Sequence, residues 1–246
     1  MSLELSQVEA VVLAGGFGTR IAHLLEGVPK PMVPVGGRPF LEWVVRYLAR
    51  QGIPKVILST GHLSEVIEAH FLPQPVAGVL TRCIAETRPL GTGGGFLNAA
   101  RLSGDSPAAW LVLNGDSLVF ADLAQAAAGL RDPAVAGVVV GCTVPDASRY
   151  GTLTIGPAGE LCGFAEKRPG RGVINAGIYL LRDSLVRELA GTPPLSFEKD
   201  LFPQWIERGM RLKVCPVVAP FLDIGTPDSL REAESFVLGN RAQFSD

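Results

Sequence analysis

The run Val8-Glu9-Ala10-Val11-Val12-Leu13 leads directly into Ala14-Gly15-Gly16-Phe17-Gly18-Thr19-Arg20, and Lys30 follows in Pro29-Lys30-Pro31. The apolar, β-branched run reads as a first strand. A strand that ends in three glycines lets backbone N–H groups come close to an anion, because no Cβ stands in the way. Arg20 and Lys30 supply the positive charge that a polyphosphate needs. The spacing is not the dinucleotide pattern G-x-G-x-x-G, and no Gly-Lys pair exists to build a P-loop. The segment therefore predicts a nucleotide site at the end of strand 1.

Outward from this stretch, strands and helices alternate. Strands are expected at Val56–Ser59, Gly78–Ala85, Ala109–Leu113 and Ala136–Cys142. Helices are expected at Phe40–Gln51, with apolar Leu41, Val44, Val45 and Leu48 at helical spacing, and at His62–Phe71, Gly93–Arg101 and Leu123–Leu130. After residue 150 the texture changes. Gly151–Ile155 and Glu160–Ala165 flank a Gly-Pro-Ala-Gly turn and read as a β-hairpin. A long strand (Val173–Leu181), helices at Ser184–Leu189 and Phe197–Glu207, a strand at Leu212–Val217 and a closing helix at Ser229–Leu238 complete the pattern. Alternating strands and helices predict an α/β fold: a three-layer α/β/α sandwich on a mixed, mainly parallel sheet, with the hairpin as an inserted part. At 246 residues one domain is expected, with residues 1–120 as the nucleotide half and 121–246 as the second half.

Composition narrows the function. With 47% hydrophobic and 19% charged residues the chain is globular, and its net charge of −2 presents no basic face to nucleic acid. Cys83, Cys142, Cys162 and Cys215 form no C-x-x-C pair, which argues against a zinc or redox site. The N-terminus lacks a basic-then-apolar leader, and the longest apolar run, Val135 to Val144, is too short to span a bilayer. A cytoplasmic protein with reduced thiols and no membrane partner is expected. There is no G-x-S-x-G, and the three histidines form no H-E-x-x-H.

Eight motifs in order carry a resemblance along nearly the whole chain. They are Leu13–Arg20, Pro29-Lys30-Pro31-Met32, Glu86 with Pro89-Leu90-Gly91-Thr92, Asn114-Gly115-Asp116, Tyr150-Gly151, Phe164-Ala165-Glu166-Lys167, Asn175-Ala176-Gly177 and Asp223-Ile224-Gly225-Thr226. The chain resembles the sugar-1-phosphate nucleotidyltransferases. Within that group, Ser196–Asp200, Phe221–Gly225 and Pro89–Gly94 are similar to the bacterial heptose-1-phosphate guanylyltransferases. The resemblance implies a Rossmann-like nucleotidyltransferase fold and the reaction of a nucleoside triphosphate with a sugar 1-phosphate to give a nucleotide sugar and pyrophosphate. It also leaves room for a homo-oligomer.

The resemblance assigns roles. Leu13, Ala14, Gly15, Gly16, Gly18, Thr19 and Arg20, with Glu86, Pro89, Gly91 and Thr92, are expected to bind the nucleotide. Arg20, Lys30, Asp116 and Lys167 are the expected catalytic residues. Asn114, Gly151, Glu166, Lys167 and Asn175 are expected on the sugar phosphate, and Asp116 with Asp223 on Mg²⁺. Asp116 also reads as a turn residue and Asp223 as an N-cap for the helix after Pro227. Glu86 stands where the family reads the base; a carboxylate accepts from two adjacent donors, which favours guanine. Mannose-1-phosphate guanylyltransferase and hexose- or muramate-1-phosphate uridylyltransferase remain alternatives, as does a silent nucleotide-sugar sensor.

Overall fold

The computed structural model describes residues 3–25, 27–165, 167–187 and 191–245. In chain order the strands are β1 (Val8–Ala14), β2 (Pro34–Val35), β3 (Arg38–Pro39), β4 (Lys55–Thr60), β5 (Leu80–Ala85), β6 (Ala109–Asn114), β7 (Ser117–Val119), β8 (Val135–Val144), β9 (Thr152–Ile155), β10 (Leu161–Ala165), β11 (Gly172–Arg182), β12 (Arg211–Val217) and β13 (Phe221–Asp223). The helices are α1 (Phe40–Arg50), α2 (Ser64–Phe71), α3 (Gly91–Ser103), α4 (Leu123–Ala128), α5 (Asp183–Arg187), α6 (Phe202–Glu207) and α7 (Pro227–Gly239).

Period-2 alternation sorts the strand residues onto two faces of one sheet. Ala10 and Val12 of β1, Val56 and Leu58 of β4, and Leu111 and Leu113 of β6 face one core, with Phe40 and Leu41 of α1 and Ala233 of α7. Val11, Ile57, Trp110 and Val112 face the other, with Phe96 of α3 and Trp205 of α6. Both faces are covered, so these strands read as continuous apolar runs. The expected α/β/α sandwich is present.

The order β6-β1-β4-β5 is parallel throughout. β11 then joins β6 antiparallel, and β8 and the β9–β10 hairpin join β11. β12 pairs parallel with β8. The hairpin curls back on β12: Glu160 bridges Lys213, and the Val214 N–H donates to the Gly159 carbonyl at 2.8 Å. The chain leaves β1 toward β4 on one side and returns to β6 on the other. The crevice beyond the carboxyl ends of these strands is where α/β sheets bind ligands.

Three points differ from or go beyond the expectations. The helix expected over Phe197–Glu207 starts as a π-helical turn, Phe197–Leu201, capped by Ser196, and becomes α-helical only at Phe202. Pro203 has no N–H to continue a ladder from the preceding turn. The helix expected at Ser184–Leu189 is α5, with Glu188 and Leu189 outside the described residues. The two-stranded ribbon of β7 and β13 was not foreseen; three-residue strands are too short for a periodic signal.

Glu42 of α1, almost buried, takes Arg38 and Arg46 on Oε1 at 2.6 and 2.8 Å and His70 on Oε2 at 2.8 Å. Burial pushes its carboxyl up, but Arg46, His70 and Arg38 outweigh this and hold it below the ordinary value. A depressed folded value stabilises above the unfolded pKa of about 4.3 and is lost as pH falls through the folded one. Glu42→Gln is therefore expected to cost on the order of 3 kcal/mol at pH 7. Its deficit should shrink below pH 4, in urea melts compared with wild type at each pH. A deficit independent of pH would contradict this account.

Candidate active site

The carboxyl ends of β1, β5 and β6 open into a cleft of about 530 Å³. The glycine loop after β1 forms its floor. Gly18 has φ +59°, and a Cβ there would stand 2.8 Å from the Cβ of Lys30, so only glycine lets the loop lie against Lys30. From Gly18 a 3₁₀ turn, Thr19–Leu24, carries Arg20 out along the cleft. The Arg20 side chain is exposed.

Lys30, which is buried, points back into the cleft. Its Nζ lies 2.7 Å from Asp116 Oδ2 and 3.7 Å from Asp223 Oδ1. Asp116 sits in the turn that joins β6 to β7. Asp223 ends β13, paired with Ser117 of β7, and the Ile224 N–H donates to the Asp116 carbonyl at 3.0 Å. The unforeseen ribbon is what brings two aspartates 107 positions apart in sequence onto one ammonium. The N-cap of α7 is Thr226, not Asp223; Asp223 Oδ1 instead accepts the Gly225 N–H at 2.7 Å. Burial and then the charge of Asp116 push the Asp223 carboxyl up, against the pull of Lys30. One ammonium thus only partly offsets two convergent carboxylates. Such an all-oxygen pair suits a hard divalent cation.

Glu86 follows β5 and lines the same cleft. Its Oε2 accepts the Leu90 N–H at 2.8 Å, and Oε1 is wedged so that a Cβ on Gly15 or Gly95 would approach it to 2.8 or 2.6 Å. Desolvation pushes its carboxyl up. Pro89, Gly91 and Thr92 form the adjoining wall. Gly91 has φ +75°, and a Cβ there would sit 2.4 Å from the Leu195 carbonyl oxygen. The Leu195 N–H in turn donates to the Leu90 carbonyl at 2.8 Å.

A family model described as "Nucleotidyl transferase" matches residues 9–240. The chain belongs to the nucleotidyl transferase family. Its relatives include the D-glycero-alpha-D-manno-heptose 1-phosphate guanylyltransferase of Campylobacter jejuni, 32% identical over 90% of this chain and 96% of that protein. A mannose-1-phosphate guanylyltransferase of Mycobacterium tuberculosis is 35% identical over 95% of this chain and 66% of that protein. Among solved structures, HddC from Yersinia pseudotuberculosis complexed with GMP-PN superposes with a TM-score of 0.82 at 31% identity, covering 92% of this chain and 98% of that one. The expected sugar-1-phosphate nucleotidyltransferase class and its fold are thereby borne out.

In this nucleotidyltransferase the far wall of the cleft is built by Asn114, Tyr150 and Asn175. Asn114 packs on Gly177, whose φ of +69° leaves no room for a Cβ. Both Nδ2 hydrogens of Asn175 are engaged by the protein: Tyr179 Oη lies at 2.8 Å and Glu198 Oε1 at 3.1 Å. Its Oδ1 accepts the Gly177 N–H at 3.1 Å, leaving one lone pair for a ligand. Gly151 stands outside the wall, its carbonyl taking the Asn175 N–H at 3.1 Å; the neighbouring Tyr150 lines the cleft in its place. Lys167 is exposed just beyond β10 and also lies outside the wall. Glu166 falls outside the described residues. Tyr150 and Ser117 were not singled out from sequence, although Tyr150 is half of the Tyr-Gly motif.

Proposed function

We propose that this enzyme condenses GTP with a sugar 1-phosphate, D-glycero-α-D-manno-heptose 1-phosphate foremost, giving the GDP-sugar and pyrophosphate. The observation that carries this reading is the grip of Asp116 and Asp223 on Lys30 at the end of the glycine loop. Anion-binding backbone, cations and paired carboxylates share one cleft, with no nucleophile–base pair among them.

The chemistry needs none. A phosphate monoester has its second pKa near about 6, so the sugar phosphate arrives already ionised. One of its oxygens forms a bond to the α-phosphorus while the bond from that phosphorus to the bridging oxygen breaks, and the electron pair leaves with pyrophosphate. Two anions must be aligned and charge neutralised as they meet. Arg20 and the loop N–H groups hold the triphosphate from residues 1–120. From 121–246, Asn175 in the cleft wall takes the sugar phosphate, and Lys167, outside that wall, and Glu166 are assigned to it by the family resemblance. Asp116 and Asp223 would hold Mg²⁺, which when bound supplies Lewis-acid charge neutralisation at the reacting phosphates.

Glu86 supports guanine, whose N1–H and 2-amino group offer two adjacent donors to a carboxylate. The relatives named for guanylyl transfer support the same base. A pyrophosphate-release screen of ATP, GTP, UTP, CTP and dTTP against heptose, mannose, glucose and N-acetylmuramate 1-phosphates tests the reading. GTP with heptose 1-phosphate should give the fastest release. Faster release with mannose 1-phosphate would move the sugar assignment. A preference for UTP would overturn the role given to Glu86, and no release with any pair would overturn the reaction.

A further inference from the structure

Residues 145–151, between β8 and β9, make more connections than a seven-residue surface loop needs. Asp146 Oδ1 accepts the N–H of Ser148 and of Gly170, each at 3.1 Å, and its Oδ2 accepts the Ser148 hydroxyl at 2.8 Å. The Ala147 N–H returns a bond to the Gly170 carbonyl at 2.9 Å. Ala147 is buried, and a Cβ on Gly172 would stand 3.0 Å from its own. One end of the loop is therefore fastened to Gly170, three residues beyond Lys167.

The other end is fastened to the segment around β13. Arg149 donates to the Thr226 hydroxyl at 3.1 Å and lies 5.6 Å over the Tyr150 ring. Tyr150 meets Phe221 edge-on at 5.3 Å. Phe221 opens β13, which ends in Asp223, and Thr226 caps α7 just beyond it. The loop is thus a strut from the Lys167 segment to the Asp223 strand. Neither Asp146 nor Arg149 lines the cleft.

We infer that Asp146 is a positioning residue: its bonds to Ser148 and Gly170 lock the strut to the 167–171 loop and so restrain the loop that carries Lys167, just outside the cleft wall. The inference rests on the role given above to Lys167. A carboxylate that accepts N–H groups makes charge-assisted bonds, stronger than neutral ones. Without them the 167–171 loop, exposed throughout, regains freedom that binding must then remove.

Asp146→Ala should raise the KM for the sugar 1-phosphate about tenfold and leave the KM for the nucleotide within about twofold. Asp146→Asn keeps a neutral acceptor at Oδ1 but loses the charge and the Oδ2 acceptor for the Ser148 hydroxyl, so it should raise the same KM by less than Asp146→Ala does. Arg149→Gln, which releases the opposite end of the strut, should raise the same KM should Asp146→Ala fold poorly. An unchanged sugar-phosphate KM in Asp146→Ala and Arg149→Gln, or equal rises in both KM values, would overturn the inference. Wild-type enzyme that turns over no sugar 1-phosphate would instead refute the functional reading beneath it.

Discussion

Arg20→Ala should lower turnover about 10²–10³-fold and leave the thermal midpoint where it is. The effect on turnover follows from position. Arg20 projects from a 3₁₀ turn whose entry Gly18 fixes, along the floor of the cleft where the triphosphate would lie. Loss of one preorganised donor to developing charge typically costs two to three powers of ten in rate. The neutrality for stability follows from exposure: the side chain is open to solvent, and no ion pair of Arg20 is present among the described residues. Steady-state kinetics would show kcat and kcat/KM falling together if the guanidinium acts in the transition state. Near-normal turnover would remove Arg20 from the mechanism.

Lys30→Met should be as damaging to turnover and, unlike Arg20→Ala, visible in the fold. Methionine keeps the stem that packs against Gly18 but leaves Asp116 and Asp223 facing each other without their shared ammonium. Removing one partner of a fully buried ion pair costs about 3–5 kcal/mol. The side chain of Asp116 is 39% exposed, so solvent screening brings the expected loss to about 1–3 kcal/mol. The readout that separates this from ordinary packing damage is Mg²⁺. Added to the variant, the cation should raise the thermal midpoint more than it does in wild type, because the unpaired carboxylates bind it more strongly. An equal rise in both proteins would refute the shared-charge account.

The parts of the molecule that could be read from sequence are those with a local signature. β1, β4 and β6 are buried on both faces and announce themselves as mainly apolar runs, with Glu9 the exception in β1; α1 does so through Leu41, Val44, Val45 and Leu48. Gly15, Gly16 and Gly18 are legible as a glycine run directly after a mainly apolar strand. What was illegible depends on pairing across the chain. The β7–β13 ribbon has three residues a side, so nothing local marks it, yet it decides that Asp116 and Asp223 meet. Asn175 was legible as a polar residue in a motif, but not its direction. That is set by Tyr179 and Glu198, the latter on a π-helical turn that α-helical spacing does not describe. Glu86 lines the cleft, and its bond to Leu90, which ties the loop it stands on, has no local mark in the sequence.

The return of the hairpin onto β12 bears on how the margins of the sheet are covered. On that side the sheet curls back: β12, β8, β11, β9 and β10 follow one another, and Glu160 and Val214 complete the turn back to β12. This return covers part of the β12 margin, where a foreign strand could otherwise add. The opposite margin is different, since β5 has a strand neighbour on one side only among the described residues. Arg82, in the middle of that strand, is exposed, donates to the Ser103 carbonyl at 3.0 Å and pairs with Asp105 at 3.6 Å, and a charged side chain there disfavours pairing with another edge strand. The two margins of one sheet thus differ: the hairpin partly covers one, and a charged side chain marks the other.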